Sequence, residues 1–261
     1  MRRVGSAALA AAAFTLGFAT PASALTKHSE ESAPIGGGLH TAVATCSSDE
    51  RAISGGYAID PGPSFARVSE SHKQGGRSWV VTANQELVAW AYCSKRLEVS
   101  TATKTVETTG NRSGTVAKAR CGRGSDPVSG GWRLVGPDSD IPVFDSRPKG
   151  RRWRIRAYDN EGTDLTAFAY CLKNGPDLVR RDGSREIDGA GEAVTARARC
   201  KRGQEFLGGG WATTPRPDYF NTDGPDTFFI DVVREGARAW SAGATNFGLL
   251  GRIQAIAVCA K

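Results

Sequence analysis

Ala117-Lys118-Ala119-Arg120-Cys121 opens, and Ala167-Phe168-Ala169-Tyr170-Cys171 closes, a stretch that also holds Gly130-Gly131-Trp132 and Gly150-Arg151-Arg152-Trp153. The same order of signals occurs once before and once after it. All six cysteines end the phrase Ala-x-Ala-x-Cys, at Cys46, Cys93, Cys121, Cys171, Cys200 and Cys259. Nine and ten residues after each opening cysteine comes a glycine pair, Gly55-Gly56, Gly130-Gly131 or Gly209-Gly210, followed by Tyr57, Trp132 or Trp211. Later an arginine precedes a tryptophan by two: Arg77 and Trp79, Arg151 and Trp153, Arg238 and Trp240. A repeated pattern of this kind marks tandem structural units, here 39–95, 114–173 and 192–261.

Period two governs the reading of each phrase. In a strand, residues i, i+2 and i+4 share a face, so both alanines and the cysteine of every phrase point the same way. Small side chains there let two strands approach until the sulfurs bond, with Cβ atoms about 4 Å apart. The opposite face is basic in two opening phrases (Lys118 and Arg120, Arg197 and Arg199) and apolar in two closing ones (Trp90 and Tyr92, Phe168 and Tyr170). Opening strands are therefore expected to be solvated on one side, and closing strands buried on both. The glycines sit inside a strand that runs aliphatic, Gly, aromatic on one face, which suggests a slot for a bulky neighbour. Residues 94–115 and 172–193 join the units, and each is long enough for one extra strand. Turns are expected there at Asn111-Arg112-Ser113-Gly114 and Asp182-Gly183-Ser184. Residues 214–226 read as a surface loop and 25–38 as a flexible leader.

A lone unit holds too few large aliphatic residues for its own core. One all-β domain over 39–261 follows, with three pseudo-symmetric units of four to five short strands arranged as a β-prism. The alternative is a disulfide-bonded β-sandwich; a β-trefoil fits less well because its repeats are shorter.

Arg2-Arg3, the Ala-rich run 7–19 and Ala22-Ser23-Ala24 form an export signal over 1–24. That run is too short for a membrane span, and the chain is expected to be secreted and extracellular. An even cysteine count in an exported chain favours disulfides over metal ligands. Of 15 connectivities, the repeat favours Cys46–Cys93, Cys121–Cys171 and Cys200–Cys259. Each would close a loop of roughly 50 residues, worth on the order of 4 kcal/mol.

The Cys, Gly-Gly-Trp, Trp, Ala-Tyr-Cys order resembles repeats in secreted actinobacterial proteins. More distantly it resembles those of bacterial and phage surface appendages. Through Cys46, Gly55, Gly56, Cys93 and their counterparts it also resembles the threefold β-prism of vitelline membrane outer layer protein I. The aspartate-rich stretch of the vitelline repeat is missing from the closing strands. The resemblance implies a fold and no particular activity.

No catalytic constellation emerges. His28, His40 and His72 have no counterparts in other units, and none is spaced for a metal. His72, amid Ser69-Glu70-Ser71 and Lys73, reads as a surface residue. Nucleophile-elbow, Walker and dinucleotide motifs are absent, and no cofactor is implied. Carboxylates remain: Asp218, Asp223, Asp226, Asp231 and Glu235 in the third unit are the candidates for a polysaccharide hydrolase, with solvation as the plainer reading. Two basic sets point to binding. Arg152, Arg154 and Arg156 share one strand face, near Arg147 and Lys149, with Lys118, Arg120, Arg197 and Arg199 as extensions. Arg77, Arg151 and Arg238 repeat before each Trp and read first as architecture, otherwise as threefold ligand sites. The net charge of +7 falls to +5 without Arg2 and Arg3, an excess too mild to indicate nucleic acid. The expectation is a non-catalytic module for a carbohydrate or an anionic cell-surface polymer, with the hydrolase as alternative.

Overall fold

The computed structural model describes residues 25–60, 66–109, 114–136, 141–157, 162–188, 193–215, 228–246 and 250–261. They form strands, with no helix among them. The first unit comprises β1 (Thr26–Glu31), β2 (Ala33–Gly36), β3 (Leu39–Thr45), β4 (Arg51–Ile59), β5 (Val68–Gln74), β6 (Ser78–Ala83) and β7 (Leu87–Ser94). The second comprises β8 (Val99–Glu107), β9 (Thr115–Arg120), β10 (Ser125–Val135), β11 (Val143–Lys149), β12 (Arg152–Ala157) and β13 (Asp164–Lys173). The third comprises β14 (Leu178–Glu186), β15 (Ala193–Arg199), β16 (Glu205–Pro215), β17 (Phe228–Glu235), β18 (Ala239–Asn246) and β19 (Leu250–Ala260).

Three antiparallel sheets result, and none of them is a single unit. Sheet A runs β1-β7-β4-β17-β18-β15, sheet B runs β2-β3-β6-β5-β10-β13-β8, and sheet C runs β14-β19-β16-β11-β12-β9. Sheets A and C each join three strands of one unit to three of another, and sheet B joins four strands of the first unit to three of the second, so the units interlock in a β-prism-like body. The seams are short. β4 meets β17 at Tyr57 opposite Val232; β10 meets β5 at Trp132–Ser71 and Arg133–Glu70; β16 meets β11 at Trp211–Ser146 and Ala212–Asp145.

Both glycines of each pair are required by close approach. A β-carbon on Gly55, Gly130 or Gly209 would lie 2.1–2.3 Å from the ring of Trp79, Trp153 or Trp240 of the same unit. One on Gly56, Gly131 or Gly210 would lie 2.1–2.5 Å from the Val232, Ser71 or Ser146 carbonyl across the seam. The tryptophans are buried and their indole nitrogens satisfied. Trp79 Nε1 donates to Ser71 Oγ at 3.1 Å and Trp153 Nε1 to Ser146 Oγ at 2.9 Å. Where the third unit has Val232 in place of that serine, Trp240 Nε1 donates to Gly210 O at 3.0 Å. Tyr57, Trp132 and Trp211, one from each unit, meet edge to face, with centroids 6.1 and 6.3 Å apart.

The disulfides are Cys46–Cys93, Cys121–Cys171 and Cys200–Cys259. Each stays within a unit yet crosses between two sheets, because opening and closing strands belong to different ones. The alternating burial of β9 and β15 and the nearly continuous burial of β7 and β13 match the expected one-sided and two-sided strands. The joining segments carry β8 and β14, which pair with the closing strand of the unit that follows.

Two expectations are corrected. Residues 25–38 are not a flexible leader: β1 pairs with β7 along its whole length, and β2 lies against β3. Buried Glu50 anchors β1 by accepting from Thr26 Oγ1 at 2.8 Å and bonding His28 Nε2 at 3.0 Å. Burial opposes ionisation of Glu50, yet Thr26, the Ser47 amide and His28 hold its carboxyl below the usual range. Asp182-Gly183-Ser184 is not a turn but the middle of β14, where a β-carbon on Gly183 would meet Arg197 O of β15 at 2.0 Å.

Candidate functional site

Half of sheet C turns a basic face outward. Three cross-strand rows build it: Arg120–Arg152–Lys149, Lys118–Arg154–Arg147 and Val116–Arg156–Asp145, each read from β9 through β12 to β11. Strands lie about 4.8 Å apart and alternate residues about 6.7 Å apart, so seven cations share a compact patch with one acid. That excess of six exceeds the +5 of the chain without Arg2 and Arg3, leaving the remainder close to neutral. Four like-charge pairs stand directly opposite: Arg152 with Arg120 and Lys149, Arg154 with Lys118 and Arg147. Such pairs are destabilising.

The threefold body supplies its own control. On sheet B the equivalent positions are Thr41, Val43 and Thr45, then Ser78, Val80 and Thr82, then Glu70, His72 and Gln74. On sheet A they are Thr195, Arg197 and Arg199, then Ala239, Ser241 and Gly243, then Asp231, Val233 and Glu235. The fold therefore tolerates neutral or balanced faces at these nine positions, and the shared architecture does not itself call for seven cations on sheet C.

Asp145 lies beneath the patch, 1% exposed. Arg156 Nε, Arg154 Nε and Arg147 Nη2 stand 3.4, 3.6 and 3.9 Å from its oxygens. These are longer than the roughly 2.7–2.9 Å of a direct charge-assisted hydrogen bond, and neither carboxylate oxygen has a hydrogen-bond partner. Burial raises the Asp145 carboxyl above the usual range, while Arg154, Arg147, Arg156 and Lys149 pull it back down. Arg156 lies over the Phe144 ring at 5.3 Å and donates from Nη2 to Thr213 O at 3.2 Å.

Arg152, Arg154 and Arg156 thus share a face with Lys118, Arg120, Arg147 and Lys149, as expected. Arg197 and Arg199 do not join them. They lie on β15, an edge of sheet A packed against β14, the edge of sheet C farthest from β9. Arg197 pairs with Glu235 instead. Arg77, Arg151 and Arg238 sit at three hairpins of three sheets, and their carbonyls accept from the Cys46, Cys121 and Cys200 amides at 2.9 Å. The Arg151 guanidinium also turns inward, onto the Cys121, Gly122 and Ser125 carbonyls.

Of the third-unit acids, Asp218, Asp223 and Asp226 lie outside the described residues. Asp231 Oδ1 accepts from the Ile59 amide at 2.8 Å, bracing the β4–β17 seam, and burial raises its carboxyl. Asp231 and Glu235 are four residues apart on one strand, about 13 Å, beyond the roughly 5–9.5 Å of a glycosidase pair. His72 is buried rather than superficial: it stacks on Phe168 at 4.7 Å, and its Nε2 bonds Glu70 at 3.0 Å. Among the described residues, His28, Glu50 and Cys93 gather as metal-type donors, but the Cys93 sulfur is committed to Cys46.

Asp145 escaped the sequence reading although a signal existed. An acid precedes each repeated Trp by eight or nine residues: Glu70 before Trp79, Asp145 before Trp153, Asp231 before Trp240. No family model and no curated protein matches the chain.

Proposed function

We propose that this chain is a secreted, non-catalytic binding protein that holds an anionic cell-surface polymer, such as a charged glycan, on the outer face of sheet C. The observation that carries this reading is the seven-cation patch, present on one of three equivalent faces despite its like-charge pairs. No aromatic side chain stands at its nine positions, so recognition there works through charge and hydrogen bonds rather than ring stacking. Guanidinium forks suit oxyanions, and a concentrated field attracts polyanions. Export fits the signal-like 1–24 and the three disulfides, which persist in oxidising compartments.

Retention on an anionic polysaccharide matrix tests it. Elution should move to markedly lower salt on Arg152→Glu or Arg154→Glu, and wild-type retention should fall steeply between about 0.1 and 1 M salt, where screening shortens from ~10 to ~3 Å. Arg199→Glu, on another face, should elute like wild type. Equal retention of all variants, or none at low salt, refutes the reading.

A further inference from the structure

We propose that Arg147, Arg154 and Arg156 form a seat for one phosphomonoester group, with Asp145 beneath them as its positioning residue. This rests on the anionic-polymer reading and narrows the ligand to a phosphorylated glycan.

The three guanidiniums come from two adjacent strands and converge on one carboxylate at 3.4–3.9 Å. Their Nε atoms are buried without a direct partner, as are both Asp145 oxygens. Asp145 gathers the forks without using up their donors. Three guanidiniums less one carboxylate leave a local charge of +2 at a single point. A phosphomonoester at neutral pH carries about −1.5 to −2 and three terminal oxygens, one for each fork. A carboxylate or a phosphodiester offers two terminal oxygens and a single charge.

The seat belongs to the second unit alone. Where Arg147, Arg154 and Arg156 stand, sheet B has His72, Val80 and Thr82, and sheet A has Val233, Ser241 and Gly243. The corresponding acids are occupied: Glu70 by His72 and Thr82, Asp231 by the Ile59 amide. Lys118, Lys149, Arg120 and Arg152 surround the seat and hold further negative charge.

Methyl phosphate, dimethyl phosphate and acetate, titrated into the disulfide-bonded protein by calorimetry, form the test. Methyl phosphate should bind about tenfold tighter than the other two at pH 7.5, and Arg147→Gln or Arg154→Gln should each cost about tenfold. Affinity for methyl phosphate should fall severalfold from pH 7.5 to about 5, as its second proton, of pKa about 6, returns. Asp145→Asn should bring the monoester-to-diester ratio towards one while retention on the anionic matrix persists. A purely structural Asp145 would change stability and leave that ratio alone, which would overturn its positioning role. Equal affinity for the three probes with matrix retention intact overturns the seat and leaves the polymer reading standing. Loss of both in the wild type overturns both.

Discussion

Tyr92 Oη accepts a hydrogen bond from the Arg234 backbone amide at 2.7 Å, across the seam where β4 and β17 part. Tyr170 Oη does the same for Lys73 at 2.6 Å. Both tyrosines precede a closing cysteine, and both amides belong to residues paired with the repeated Trp, Arg234 with Trp240 and Lys73 with Trp79. In the third copy the residue before the cysteine is Val258, and the residue paired with Trp153 is Pro148. Proline has no N–H, so the hydroxyl and the amide that needed it are absent together. Burial raises both tyrosine hydroxyls far above their usual range, so they remain protonated acceptors across the stable pH range.

Tyr92→Phe should therefore leave a buried amide unpaired and cost about 1–3 kcal/mol. Pro148→Ala should also destabilise, since it restores an amide at the seam whose closing strand has no hydroxyl. Urea midpoints decide both. A Tyr92→Phe protein as stable as wild type would show that the hydroxyl is dispensable.

Gly209→Ala drives a methyl into the Trp240 ring, 2.2 Å from its nearest atom. Overpacking of this kind costs about 1–3 kcal/mol or more, here in a ring held by its indole bond to Gly210. Gly122→Ala meets nothing within 4 Å and needs no left-handed backbone, so it should be neutral or stabilise by up to about 1 kcal/mol. Thermal unfolding of the pair should separate by several degrees. Coincident melting would contradict the slot.

The Glu70 carboxyl is held below its usual range chiefly by the His72 hydrogen bond, then by the Thr82 hydroxyl, against the opposing effect of burial. A depressed carboxylate contributes stability that is present above its unfolded value, about 4.3, and lost as pH falls through the folded one. Wild type should exceed Glu70→Gln in stability above about pH 5.5, with the margin closing in acid. Denaturant midpoints across that window give the answer; a margin that widens in acid has the wrong sign.

Much of the candidate face was legible because strand alternation assigns Arg152, Arg154 and Arg156 to one side without any knowledge of partners. Alternation also puts Lys118 and Arg120 on one side of β9, whereas nothing local distinguishes the basic side of β15, with Arg197 and Arg199, from it. Register separates the two sets: β9 pairs with β12 inside sheet C, while β15 pairs with β18 inside sheet A. Asp145 was missed because a single acid within a run of cations looks like local neutralisation until the cross-strand rows bring three arginines over it. His72 misled for a similar reason. Its neighbours in sequence are polar, whereas Gly131, across the seam, leaves open the space in which it reaches Phe168.

The order of residues along the chain was enough to determine three strand-built copies, the sulfur pairing within each, and a slot for a bulky neighbour in every copy. These follow from period-two geometry and from the small side chains beside each cysteine, both local properties. Only the folded body decided that each copy divides its strands between two sheets and that one outward face collects the positive charge. Those outcomes depend on which strand edges meet across Tyr57–Val232, Trp132–Ser71 and Trp211–Ser146. Hydrogen bonding between distant edges leaves no periodic trace in either strand.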